Sequence, residues 1–156
     1  MIRRLTPLLV TSLAALACAD TSSETEAAPE ADAAVREAPT MSAGPSVSIV
    51  SPASGDTVAA GSVEVTLSAD GLAILPAGDT TANSGHHHLF LDADVSPAGQ
   101  PIPAVPGSIV HMGDASSSYL FENVAPGEHR LIAVVGDWQH VPLEPMVVDT
   151  VMFVVR

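Results

Sequence analysis

From Ser46 to Arg156 the apolar and polar positions of this chain alternate in short runs separated by turn residues. The stretch SVSIVSP has a period of two and ends at Pro52, and SGDTV follows as a turn. In GSVEVTLSADG, Val63, Val65 and Leu67 point to one side while Glu64 and Thr66 point to the other, the pattern of a half-buried strand. ILPAGDTTANSG reads as a polar loop, HHHLFLDAD as a strand, and VSPAGQPIPAVPG as a proline-rich loop with no helical period. SYLFENV is a strand, APGEH a turn, HRLIAVVGD a buried strand, and MVVDTVMFVVR the last strand. No segment carries the 3.6-residue period of an amphipathic helix. About seven short strands with turns between them predict an all-β, immunoglobulin-like β-sandwich over residues 46–156, with a small Greek-key barrel as the alternative.

The first 45 residues follow a different rule. Arg3 and Arg4 are followed by an apolar run from Leu5 to Leu16, and small residues lead to Cys18. A positive start, a short apolar stretch and small residues make a signal-peptide layout over residues 1–17. The run is too short for a spanning helix, which needs about 20 residues. LAALAC resembles a bacterial lipobox, although Ala15 stands where a larger aliphatic residue is usual. That resemblance implies a lipidated Cys18 as the mature N-terminus. Conventional cleavage near Ala17 or Ala19 is the alternative. By resemblance to Gram-negative sorting signals, Ala19 rather than Asp after the cysteine implies the outer membrane, facing the periplasm. Residues 18–45 then read as the lipidated cysteine and an acidic tether dominated by Ala, Glu, Pro, Ser and Thr. Such a segment buries too little apolar surface to offset its ordering entropy.

Composition sharpens the expectation. Aromatics are 3% of the 156 residues, so the core must be Val, Leu, Ile and Ala. The formal net charge of −13 repels phosphates and argues against a nucleic-acid partner. The only cysteine is Cys18, which leaves the folded domain without a disulfide. The expected partner is therefore the membrane, through the anchor; the sequence names no protein partner.

All six histidines fall between residues 86 and 140. On a strand, His86 and His88 share a face with Phe90, and His87 turns to the other face with Leu89 and Leu91. Two imidazoles at that spacing can reach one ion. Neutral imidazole suits zinc, copper, iron and nickel. His140, in GDWQHVP, and His111, in VHMGD, are the further candidate ligands. Met112 beside His111 would add a soft donor that favours copper. Asp137 is a candidate acceptor that would orient the ring of a ligating histidine. His87 and His129 complete the set, His129 with a structural role as its alternative. The metal expected is copper or zinc. The competing reading is a histidine hydrogen-bond network in a structural or interaction module of the cell envelope. An enzyme has less support: there is no Gly-x-Ser-x-Gly elbow and no Gly-rich phosphate loop, although a metal-dependent redox enzyme stays open.

The segments SGHHHLFLDAD, QPIPAVPGSIVHMGD, PGEHRLIAVVGDWQHVPLEP and VVDTVMFVV together resemble the bacterial, exported domain-of-unknown-function family 4399, over about residues 83–156. Matching positions include Gly85, His86, His87, His88, Asp92, His111, Gly113, His129, Gly136, Asp137 and His140. This chain departs from the pattern at Met112, where the family has phenylalanine, at Gln139, where it has asparagine, and at DASSS. The resemblance implies export and a shared set of residues, and assigns no activity.

Overall fold

The computed structural model describes residues 44–156. The expected signal peptide, Cys18 and nearly all of the tether lie outside the described residues. Nine strands form among the described residues: β1 (Ser46–Ser51), β2 (Thr57–Val58), β3 (Gly61–Asp70), β4 (Ala73–Ile74), β5 (Ser84–Leu91), β6 (Ile109–Met112), β7 (Ser118–Val124), β8 (Gly127–Gly136) and β9 (Val148–Val155). They make two sheets, β1-β3-β7 and β2-β9-β8-β5-β4, with β6 also paired to β5. The two sheets are separate hydrogen-bonded units, so the architecture is an all-β sandwich and not a closed barrel. Three of the nine strands are short: β2 and β4 have two residues each and β6 has four.

The core follows from strand alternation. Val63, Val65 and Leu67 of β3, Val47 and Ile49 of β1, and Phe121 of β7 are buried on one sheet. They pack with Leu89, Leu91, Leu131, Ala133, Val135, Val151, Phe153 and Val155 of the other. Leu131 has no exposed surface, and deleting such a side chain to Ala typically costs about 2–5 kcal/mol.

β5 departs from the one-face-wet rule, because every residue from Gly85 to Leu91 is buried. Its inner face supplies Leu89 and Leu91 to the inter-sheet core. Its outer face is covered separately. There Phe90 packs with Ile102, Ile109, Ile132 and Val134, and Ala93 and Val95 lie against them. The proline-rich segment after β5 therefore acts as a lid over the outside of the larger sheet. Ser108 pins it, donating from Oγ to the Leu91 carbonyl and accepting on its own carbonyl the Leu91 N–H, at 2.9 and 2.7 Å. This second, smaller core positions the histidines.

Candidate metal centre

Cross-strand partners in a sheet share a face. In register, His88 of β5 faces His111 of β6 on one side and Val134 of β8 on the other, and His86 faces Gly136. The outer face of this sheet end thus carries His86, His88 and His111 beside the apolar patch around Phe90.

His140 arrives by a turn. β8 ends at Gly136, and Asp137 folds the next residues back on themselves. Its carboxylate accepts the N–H groups of Gln139 and Val141 at 2.8 and 3.0 Å. Its carbonyl accepts the His140 N–H at 2.9 Å. His140 itself sits at φ 66°, the left-handed region that non-glycine residues seldom occupy. Ile102 donates its N–H to the His140 carbonyl at 2.7 Å, tying the turn to the lid. The backbone is held from both sides, and the ring is delivered toward β5.

Four rings converge. The centroids of His86 and His88, His86 and His111, and His86 and His140 are 4.7, 4.8 and 4.9 Å apart. Those of His111 and His140 are 4.5 Å apart. His88 lies 5.1 Å from His111 and 5.8 Å from His140. One nitrogen from each of His86, His111 and His140 lies within 4.8 Å of the other two. Corners of a triangle with that side sit at most about 2.8 Å from its centre, so an inward shift under about 1 Å reaches the 2.0–2.1 Å of a metal–imidazole bond. His88 stands behind this trio, its Nε2 3.0 Å from the Nε2 of His86. One of those nitrogens donates and the other accepts. Burial grades across the site: His86 and His88 are buried, His140 is half-buried and His111 is exposed.

The surroundings hold His86, His88 and His111 toward the neutral form. Burial pulls His86 down to about 4, with the His111 and His140 rings adding to it and Asp137 opposing. Burial takes His88 to about 3, helped by its histidine neighbours. His111 is lowered by burial and then by His140. Neutral imidazole is the form that carries a lone pair for a metal. Among the described residues, His88 Nδ1 is buried with no hydrogen-bond partner. Leaving such a group unsatisfied costs about 1–3 kcal/mol.

The other expected ligands are placed elsewhere. Met112 faces the opposite side of β6 from His111, pairs with His87 across the strands, and is buried in the inter-sheet core. The soft donor expected beside His111 is therefore turned away from the cluster. His87 is also buried on that inner face, with Nδ1 unpartnered among the described residues. Both ring nitrogens of His129 are occupied: Nδ1 is 2.7 Å from Asp92 Oδ2 and Nε2 is 2.8 Å from the Ala125 carbonyl. The Asp137 carboxylate bonds to backbone N–H groups and shapes the turn; it makes no bond to a ring among the described residues. Sequence reasoning did not identify β6, the strand that aims His111. Its signal was only the four-residue alternation of Ile109 and His111 against Val110 and Met112.

Among solved structures, the chain is similar to an engineered protein whose crystal structure was determined at 1.98 Å by the Northeast Structural Genomics Consortium. The identity is 14% and the TM-score 0.41, over 74% of this chain and 21% of that one. No curated protein matches. The family model for the domain of unknown function DUF4399 matches residues 65–156, which takes in β5, β6 and the His140 turn, and on that match the chain belongs to the DUF4399 family.

Proposed function

We propose that this chain is an exported, membrane-tethered, non-catalytic β-sandwich domain that binds a divalent transition metal, zinc or copper, through His86, His111 and His140, with His88 adjoining. The observation that carries this reading is the convergence of three ring nitrogens within 4.8 Å of one another from three separate stretches of chain. An all-nitrogen donor set of neutral imidazoles suits Zn²⁺ and Cu²⁺, and with Met112 on the other face the case for Cu⁺ weakens. By the ordinary order of divalent affinities, Cu²⁺ binds more tightly than Zn²⁺. The tether and lipid anchor rest on the Arg3–Arg4 start, the apolar run and Cys18. Ala19 after the cysteine supports an outer-membrane location facing the periplasm.

The test is metal content and zinc and copper titration of the purified protein, beside the His86→Ala and His111→Ala variants. One equivalent bound by the wild type and lost in both variants supports the reading. Uptake at micromolar metal that is absent, or unchanged by the substitutions, rejects it.

One observation favours a second reading, a structural imidazole network: the 3.0 Å contact between His86 and His88 satisfies one ring with another in the absence of an ion. The two readings separate in thermal melts. A metal site makes the melting temperature fall with chelator, because a ligand bound only to the folded state stabilises it. A purely structural network makes chelator irrelevant, and His86→Ala then lowers stability by about 1 kcal/mol per net hydrogen bond lost.

A further inference from the structure

Two glycines flank the cluster, and neither needs to be glycine for its backbone. Gly113 and Gly136 lie outside the left-handed region that seven other glycines of the described residues occupy. What they lack is room. A Cβ on Gly113 would stand 2.7 Å from His111 Cε1 and 2.9 Å from His111 Nε2, with the Ala77 Cβ next at 3.1 Å. A Cβ on Gly136 would stand 2.9 Å from His88 Nε2 and 3.0 Å from His88 Cδ2, with nothing else nearer than 3.6 Å. In both cases the obstruction is first an imidazole. Gly85 differs: its Cβ would meet the Gly136 carbonyl and a Val135 methyl, each at 2.6 Å, so sheet packing excludes a side chain there.

We propose that Gly113 and Gly136 are positioning residues of the histidine cluster: the volume their missing side chains leave is filled by the rings of His111 and His88, and this sets which imidazoles can converge on a bound ion. The proposal rests on the cluster holding an ion. The two seats differ in what happens when they are filled. His111 is exposed, so its ring can swing away from an added methyl at little cost to the fold, and a ligand is lost from the trio. His88 is buried, has no free direction, and must displace its neighbours.

The experiment uses the full chain, with Zn²⁺ as the probe in calorimetric titrations and thermal melts of metal-free protein. Gly113→Ala is expected to leave the metal-free melting temperature within about 2 °C of wild type while weakening zinc binding at least about tenfold, the range seen when the support of a ligand is disturbed. Added to His111→Ala, the same substitution is expected to change nothing further. Gly136→Ala is expected to lower the metal-free melting temperature, and His88→Ala is expected to relieve that loss in the double variant. Zinc affinity of Gly113→Ala within about twofold of wild type overturns the seat at Gly113. An equal stability loss from Gly136→Ala with and without His88 overturns the seat at Gly136. A wild-type chain that takes up no zinc overturns the ion reading, and the metal-free cycle of Gly136 and His88 still decides whether that glycine makes room for the ring.

Discussion

His129 and three of the four clustered rings belong to the same six-stranded sheet and put the same side chain to opposite uses. At the start of β8, His129 lies between two acceptors, the Asp92 carboxylate and the Ala125 carbonyl. A neutral imidazole has one N–H and can serve only one of them; the imidazolium serves both. Burial opposes the charge, yet the Asp92 hydrogen bond, the Ala125 hydrogen bond and the Asp92 charge outweigh it and raise the pKa. At the far end of β8, the rings beside Gly136 have one another as neighbours. His86, His88 and His111 among them are pressed toward the neutral form. What a histidine does in this fold is decided by whether acceptors or other imidazoles surround it.

The strongest way to break that contrast is acid. The folded pKa values of His86 and His88, about 4 and about 3, lie below the ordinary value of a histidine in an unfolded chain. Between about pH 6.5 and those values the unfolded chain binds protons that the folded chain does not. The stability these rings contribute is thus complete above about pH 6.5 and falls as the pH drops toward 4. The expected loss by pH 4.5 is on the order of a few kcal/mol. Denaturant unfolding at pH 7, 5.5 and 4.5 measures it, and a flat profile, or one unchanged in a His86→Gln, His88→Gln double variant, contradicts the assignment. His129 has the opposite sign. Its raised pKa makes its contribution complete below about pH 6.5 and lost as the pH rises through the folded value. In histidine NMR titrations His129 is expected to deprotonate above the usual range, while His86 and His88 stay neutral down to pH 5.

A middle-sized effect sharpens the comparison from the side of His129. Asp92 also accepts the Arg130 N–H at 2.9 Å, so Asp92→Ala removes two bonds at once and leaves a ring nitrogen unpaired. The expected loss is about 2 kcal/mol, with zinc uptake unchanged. Loss of zinc uptake in that variant would show the two regions to be coupled.

The smallest effect separates the two faces of β5. His87 lies among apolar neighbours, and burial lowers its pKa. Replacing it with leucine removes a buried, unpartnered nitrogen. The expected change is neutral to about 1 kcal/mol stabilising, with metal affinity as in the wild type. A His87→Leu variant that fails to bind zinc would place this ring in the site after all.

Much of the sandwich was legible because strand patterning is local. Val63, Val65 and Leu67 announced a one-sided strand, and the triplet's alternation put His86 and His88 together with Phe90 and turned His87 away. β6 was not legible: four residues carry too short a pattern to separate a strand from a loop. Without it, Met112 looked like a neighbour of His111 in space as well as in sequence, whereas consecutive residues of a strand face opposite sides. The proline-rich segment was recognisable as a loop, but its work as a lid over Phe90 and Ile132 was not, since nothing local says which surface a loop covers.

Alternation along the chain, written by neighbouring residues, was enough to determine that this is an all-β domain with histidines paired on one strand face. Only the tertiary structure decided which imidazoles meet. Convergence of His86, His111 and His140 depends on the β5–β6 register, on a turn built by Asp137, and on space beside Gly113 and Gly136. The β5–β6 register and the space beside Gly136 relate residues far apart in sequence, while the Asp137 turn and Gly113 act locally and matter only because the sheet carries them to the same place; the physical reason is that cross-strand pairing and packing volume have no local signature.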